Sequence, residues 1–288
     1  MSIPSLAALP IRRLTPRDLV ACADLSEDRG WPREEHKWGL LLAGGTGYGI
    51  DDPAGGLVTA CVVTEYGPRE RPELAAIGMV LVAGRHARQG VGRRLMRHVV
   101  EETGTTPLTL HATAYGRPLY EELGFKAIGR AEMVRGVFIS DDSASGVFTR
   151  PATAEDLASV LRLDEEVFGT DRTHMIARLP AFADQLRVAE ENGRITGYAA
   201  AWPNMATQVV GPVIARDTRT AKALVSSLAA HTDRPLRTDI DTRHEELLGW
   251  LKERGLSSVG FNSVMTHRIP ELPGDWTRRF APLTVAAG

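Results

Sequence analysis

Apolar residues along the chain fall into short unbroken runs and into stripes spaced three and four apart. These are the marks of buried strands and of amphipathic helices. Runs at 57–66, 74–82 and 209–214 predict strands, as do shorter ones at 11–14, 48–51, 108–112, 148–150 and 236–241. Residues 127–138 predict one or two more, and 187–202 a strand, a turn and a second strand. Helices are predicted from Thr15 through the stripe Leu19, Val20, Cys22 and Leu25, and over 34–42, 93–102, 220–230 and 244–253, with another starting at Thr153. Thr15 and Thr153 are candidate N-caps, Pro16 suits a first helical position, and Gly45 and Gly255 are stops. The Asp-Pro-Ala-Gly-Gly stretch at 52–56 predicts a hairpin loop. Strands interleaved with helices predict an α/β (α+β) fold.

Residues 140–147 are polar and small, without periodicity, and predict a linker between a first domain at 1–139 and a second at 148–288. The order of elements repeats across it. At a shift of 131 residues Gly124 falls on Gly255, 108–110 on 239–241, 77–82 on 208–213 and 91–100 on 222–231, with no gap. The pattern predicts an internal duplication; two unrelated α/β segments of similar length are the plainer reading.

Composition narrows the function classes. The 288 residues suffice for two cores. A net charge of −2 gives no electrostatic case for nucleic acid or a membrane surface. No apolar run reaches the ~18 residues of a membrane helix, and the first ten residues lack the features of a signal peptide. A cytoplasmic protein with neither nucleic-acid nor membrane partners is expected. Cys22 and Cys61 make no disulfide framework, and no Cys/His cluster has metal spacing.

The most informative stretch is 77–125. A strand at 77–82 leads through Arg-Gln-Gly-Val-Gly at 88–92 straight into a helix. A helix start leaves N–H groups without partners and carries partial positive charge, so it is an anion site. Gly90 and Gly92 allow close approach to the backbone, and Arg88 and Arg93 add charge at the rim. A P-loop is absent, and Leu95 stands where a dinucleotide fingerprint needs its third glycine.

Val82, Gly90 and Gly92, followed by Tyr120, Glu121, Gly124 and Phe125, resemble the paired motifs of the GNAT (Gcn5-related) N-acetyltransferase family. That family's pattern is Val-x-Pro-x-x-Arg-x-x-Gly-x-Gly/Ala, then Tyr-Glu-x-x-Gly-Phe. The resemblance covers residues 11–135. Gly84, Ala87, Thr113 and Gly116 depart from it, where Pro, Arg or Gln, Asn and Ala are usual.

The resemblance implies two tandem GNAT folds, each a mixed, mostly antiparallel sheet flanked by helices and splayed at an acetyl-CoA cleft. Backbone groups of Val80, Leu81 and Val82 would pair with the pantetheine arm. The amides of Arg88, Gln89, Gly90, Val91, Gly92 and Arg93 would take the pyrophosphate, with Thr113 near the arm. Tyr120 would protonate the departing CoA thiolate as general acid, or else pack the short helix. His111 and Glu65 are candidate bases, each equally readable as an ordinary strand residue. Trp31, Trp38 and Tyr115 are candidates for an acceptor wall, or for core. The expected activity is direct transfer, in a ternary complex, from acetyl-CoA as co-substrate to a primary amine of a small molecule or a protein, without a metal. A monomer or homodimer is expected. The alternative is a non-catalytic acetyl-CoA sensor or scaffold.

At the same shift Ala221 stands at Gly90, Ala223 at Gly92 and Leu251 at Tyr120, and Asp217 in the turn would repel a phosphate. The second domain is therefore expected to be degenerate. Residues 168–173 resemble a segment of such second domains, shaping an acceptor site or an interface, or forming a plain turn.

Overall fold

The computed structural model describes residues 6–140 and 146–288; residues 141–145 of the expected linker fall outside them. The first half runs β1 (Arg12–Leu14), α1 (Leu19–Asp28), α2 (Glu35–Gly44), β2 (Thr46–Asp51), β3 (Leu57–Tyr66), β4 (Leu74–Val82), α3 (Val91–Glu102), β5 (Leu108–Ala112), α4 (Arg117–Glu122) and β6 (Lys126–Gly136). The second runs β7 (Phe148–Pro151), α5 (Leu157–Phe168), α6 (Thr173–Ile176), α7 (Leu179–Phe182), β8 (Gln185–Glu191), β9 (Arg194–Asn204), β10 (Thr207–Ala215), α8 (Thr218–Ala229), β11 (Leu236–Asp241), α9 (Glu245–Glu253), β12 (Ser257–His267) and β13 (Arg279–Ala281).

The two caps expected from sequence are present and alike. Thr15 and Thr153 each form a capping box, with Asp18 and with Asp156. Each aspartate also takes an arginine from the strand before it, Arg12 at 2.7 Å and Arg150 at 2.6 Å. The duplication thus extends to side-chain pairs.

Strand order is β1-β2-β3-β4-β5-β12-β6-β11-β10-β9-β8-β7, one continuous sheet in which only β4–β5 and β10–β11 pair in parallel. The halves exchange their closing strands. β12 of the second half pairs with β5 of the first, and β6 of the first pairs with β11 of the second. β6 and β12 pair antiparallel with each other, and Ala131 faces Asn262, its own counterpart at the 131-residue shift. A pseudo-twofold axis therefore passes between them. β12 was not anticipated: Ser257–His267 interleaves serine, glycine and threonine and lacks an apolar run.

The shift is not uniform. The buried stripe Val91, Leu95, Met96 and Val99 of α3 recurs in α8 as Thr220, Leu224, Val225 and Leu228 (220 − 91 = 129, as for the others). This corrects the gapless register. Arg219 and Ala221 stand at Gly90 and Gly92, in place of Ala221 and Ala223. The shift of 131 does hold around Tyr120. The Phe125 amide donates to the Tyr120 carbonyl as the Leu256 amide does to that of Leu251.

The halves share a core in which α1, α2 and β4 meet α5, β9 and the segment 283–287. Residues 168–173 form part of this interface. Thr170 Oγ1 donates to Glu73 at 2.6 Å, and the Gly67 amide to the Asp171 carbonyl at 2.7 Å. Arg172 is fully buried, bidentate to Asp164 at 2.8 Å, with a third N–H on the Gly288 carbonyl. Tyr198 donates to the same aspartate. Removing one partner of a buried pair strands the other charge, at a cost of about 3–5 kcal/mol. Asp164→Ala is therefore expected to lower the unfolding midpoint in urea sharply. Loss of under ~1 kcal/mol would mean that the pair does not anchor the 168–173 segment within the second half.

Candidate active site

The site begins where two parallel strands part. β4 and β5 pair through Ala75, Ala76 and Ile77, and among the described residues β4 has no strand partner on that side from Gly78 onward. The divergence has a local cause. The β3–β4 register shifts between Gly78 and Leu81, and Met79 adopts a positive φ of 53°. Such a bulge bends its strand and turns backbone groups away from the ladder. The result is a cleft of about 710 Å³ through the sheet.

One end of the cleft is the turn into α3. Gly90 is the N-cap, with φ 78°, and no side chain caps the helix. The amides of Val91, Gly92 and Arg93 are thus left for a ligand. Nothing crowds a Cβ at Gly90, so that glycine serves the backbone conformation; at Gly92 a Cβ would meet Val82 at 3.2 Å, so that one serves close packing. The turn is braced from behind. Asp52 accepts from Arg85 at 2.7 Å and contacts His86 Nε2 at 2.5 Å. Burial opposes the Asp52 charge, but the Ala54 amide, His86 and Arg85 outweigh it and hold the carboxyl at about 2. The Gly84 amide donates to Asp28 at 2.5 Å. A proline, usual in the family pattern, has no such N–H, so this departure adds a brace.

Tyr120 projects from α4 on one face of the sheet, 7% exposed, and lines the cleft beside Gly116. Burial pushes its phenol above the ordinary range, so it keeps its proton. His111 lies on the opposite face of β5, in register with Val264 of β12. It is hydrogen-bonded to the backbone of Val285, and burial, with nearby Arg279, pushes it down to about 4. It is a neutral imidazole at pH 7.

The expected site residues separate as follows. Val80, Leu81, Val82, Arg88, Gly90, Val91, Gly92, Arg93, Thr113, Tyr120 and His111 line the cleft. Trp31 and Tyr115 line it as well, at 37% and 66% exposure. Gln89 turns its amide to the Arg85 carbonyl and does not line it. Two expectations need correction. Trp38 is a core residue, fully buried between α1 and α2, its indole N–H on Ser26 Oγ at 2.9 Å. Glu65 is exposed and pairs with Ala75, at the end of β4 away from the opening. Sequence reasoning missed Arg29, Lys37, Asn262, Val285 and Ala286. The last three come from the second half. Only knowledge of the strand exchange would have brought Asn262 here.

In the second half β10 and β11 also part, after Val209. There β13 occupies the opening and pairs antiparallel with Val213 and Ile214. Asp217 caps α8 itself, accepting from the Thr220 amide at 2.8 Å and its hydroxyl at 2.7 Å. A carboxylate sits where an anion would bind, and Leu251 is buried at the place of Tyr120.

Two family models described as acetyltransferase (GNAT) domain match the chain, one at 66–140 and the other at 160–281. The chain is 28% identical over 236 residues to an uncharacterized N-acetyltransferase, YitH, of Bacillus subtilis, spanning 78% of this chain and 80% of that one. A putative acetyltransferase of Pyrococcus horikoshii shares the fold with a TM-score of 0.80 at 19% identity, over 99% of this chain and 98% of its own. A tandem GNAT protein from the clavulanic acid biosynthesis pathway does so with a TM-score of 0.64 at 13% identity, over 91% and 99%. At such identities the structures speak for the fold. With two GNAT matches in one chain and two copies of the splayed sheet, the protein belongs to the GNAT acetyltransferase family, as a tandem member.

Proposed function

We propose that the first half transfers an acetyl group from acetyl-CoA to a primary amine by direct attack in a ternary complex. The observation that carries this is the open cleft, with uncapped amides at one end and Tyr120 in its wall. The residues fit the co-substrate: Gly92 packs closely enough on Val82 to keep the turn narrow, and from Gly78 to Val82 β4 is paired with β3 alone, its β5 side free of a strand among the described residues. Acetyl-CoA supplies the thioester carbonyl. The amides of Val91, Gly92 and Arg93 hold its pyrophosphate, and backbone groups of Val80 and Val82 hold the arm.

Transfer forms an N–C bond and breaks a C–S bond. The amine must arrive neutral or lose a proton on the way. His111, neutral at pH 7, accepts a hydrogen bond from it or from an intervening water. Tyr120 returns a proton to the sulfur. A second reading has one observation in its favour: no carboxylate base lines the cleft among the described residues. Acetyl-CoA would then bind without turnover, as in a sensor. Thiol release over a panel of amines separates the two.

Gly90→Asp strains a positive-φ position and puts a carboxylate in the phosphate seat. Acetyl-CoA affinity measured by calorimetry should fall by more than ~100-fold; unchanged affinity would remove the phosphate assignment. Tyr120→Phe should keep affinity within about twofold and slow turnover ~10–100-fold. An undiminished rate would make the tyrosine a packing residue.

A further inference from the structure

The walls of the cleft carry basic side chains, of which Arg93 is paired with Glu122 and His111 is neutral at pH 7. Arg29, Lys37, His86, Arg88, Arg93 and His111 line it, and among the described residues no aspartate or glutamate does. Arg88 and Arg93 flank the anion turn, and His86 is held by Asp52. Arg29 lies beside Gly84 at the turn, so Lys37, His111 and Asn262 remain on the acceptor side. An amine bearing extra positive charge would meet no lining carboxylate there, since the nearby Glu34, Asp239 and Asp241 all stand outside the lining. An amine bearing a negative group would not.

Lys37 is the most constrained of these. Its side chain is 5% exposed, yet it reaches the cleft from α2. Its ammonium carries three N–H donors, and among the described residues only Glu34 accepts one. Glu34 itself is spent, since its other oxygen takes the Asn204 amide at 3.0 Å and lies 3.6 Å from Arg237. Burial lowers the Lys37 pKa and Glu34 opposes that; a further anion would hold the ammonium charged. Asn262 enters from β12, buried, and its side-chain amide makes no hydrogen bond among the described residues. Val264, two residues on, faces His111, so Asn262 and His111 share one face of the sheet.

We propose that the acceptor carries a carboxylate beside the amine it offers, as an amino acid does, and that Lys37 and Asn262 receive that carboxylate at the inner wall of the cleft. Two donor groups suit the two oxygens of a carboxylate. The amine then lies on the His111 side, facing the parted strands. This inference rests on the acyl-transfer reading of the cleft, and its test uses binding so that the two fail separately.

Full-length protein saturated with CoA is titrated by calorimetry with matched pairs: phenylalanine and 2-phenylethylamine, lysine and 1,5-diaminopentane, alanine and ethylamine. Phosphoethanolamine is included. In at least one pair the carboxylate-bearing member should bind about tenfold tighter or more. Lys37→Met and Asn262→Ala should each remove most of that preference while leaving CoA affinity unchanged. If Lys37→Met alone does not fold, the Glu34→Gln/Lys37→Met double variant, which removes both charges of the pair and leaves Arg237 with Asp239 at 3.7 Å, takes its place.

Equal or tighter binding of the decarboxylated amine in every pair overturns the proposal; it would point to the aromatic faces of Trp31 and Tyr115 as a cation site. Tighter binding of phosphoethanolamine, no binding by any carboxylate-bearing member, or a preference that survives both substitutions overturns it as well. Thiol release from acetyl-CoA is read in parallel. A carboxylate preference without release supports the recognition site and counts against transfer alone.

Discussion

A backbone N–H or C=O in a protein interior needs a partner, and a parallel strand pair that parts leaves a row without one. This chain makes that break twice, after Ile77 in β4 and after Val209 in β10. The two breaks are resolved differently. In the second half β13 enters the gap and pairs with β10. In the first half no strand among the described residues enters, and the row from Gly78 to Val82 is left facing a cleft. The same contrast holds at the helix that follows. Asp217 satisfies the Thr220 amide of α8 from within, whereas Gly90 has no side chain with which to satisfy any of those of α3. One half closes its fold on itself; the other leaves its backbone donors and acceptors for something else.

Much of this was legible in the residues. The glycine turn, the tyrosine motif and both N-caps are local, and local chemistry is written in consecutive positions: Gly90 for a positive φ, Thr15 for a cap. The strand exchange was not legible, because register between distant strands leaves no trace in either sequence taken alone. The separation of Trp31 from Trp38 shows the limit on a smaller scale. Both lie in or beside the same helix pair, but Trp38 turns inward to Ser26 while Trp31 sits in the connection that overlooks the cleft. The uneven shift between the halves had a similar cause. Matching apolar letters gave 131, whereas the buried face of α8 gives 129, because loops absorb residues that helix faces cannot.

The departures from the family pattern carry information of their own. Gly84 adds a hydrogen bond to Asp28. Ala87 removes a side chain, but Asp52 holds the same turn through Arg85 and His86. Bracing has moved from the face of the turn to its back, and the amides that would meet a ligand are untouched.

The exchange also explains why a half with a filled cleft stays part of the molecule. β12 closes the open edge of β5 and carries Asn262 into the first-half cleft. The segment beyond β13 lays Ala286 against Gly78, where a Cβ would come within 2.3 Å of its carbonyl. A first half cut away from its neighbour would present β5 as a bare edge, with Val264 and Met265 gone from the two sheet faces they help to cover. Such an edge invites pairing with other chains. The second half needs neither its turn into α8 nor Leu251 for these walls, since neither lines the cleft. It cannot lose β12 or the segment that follows, because the inner surface of the first-half cleft is built on them.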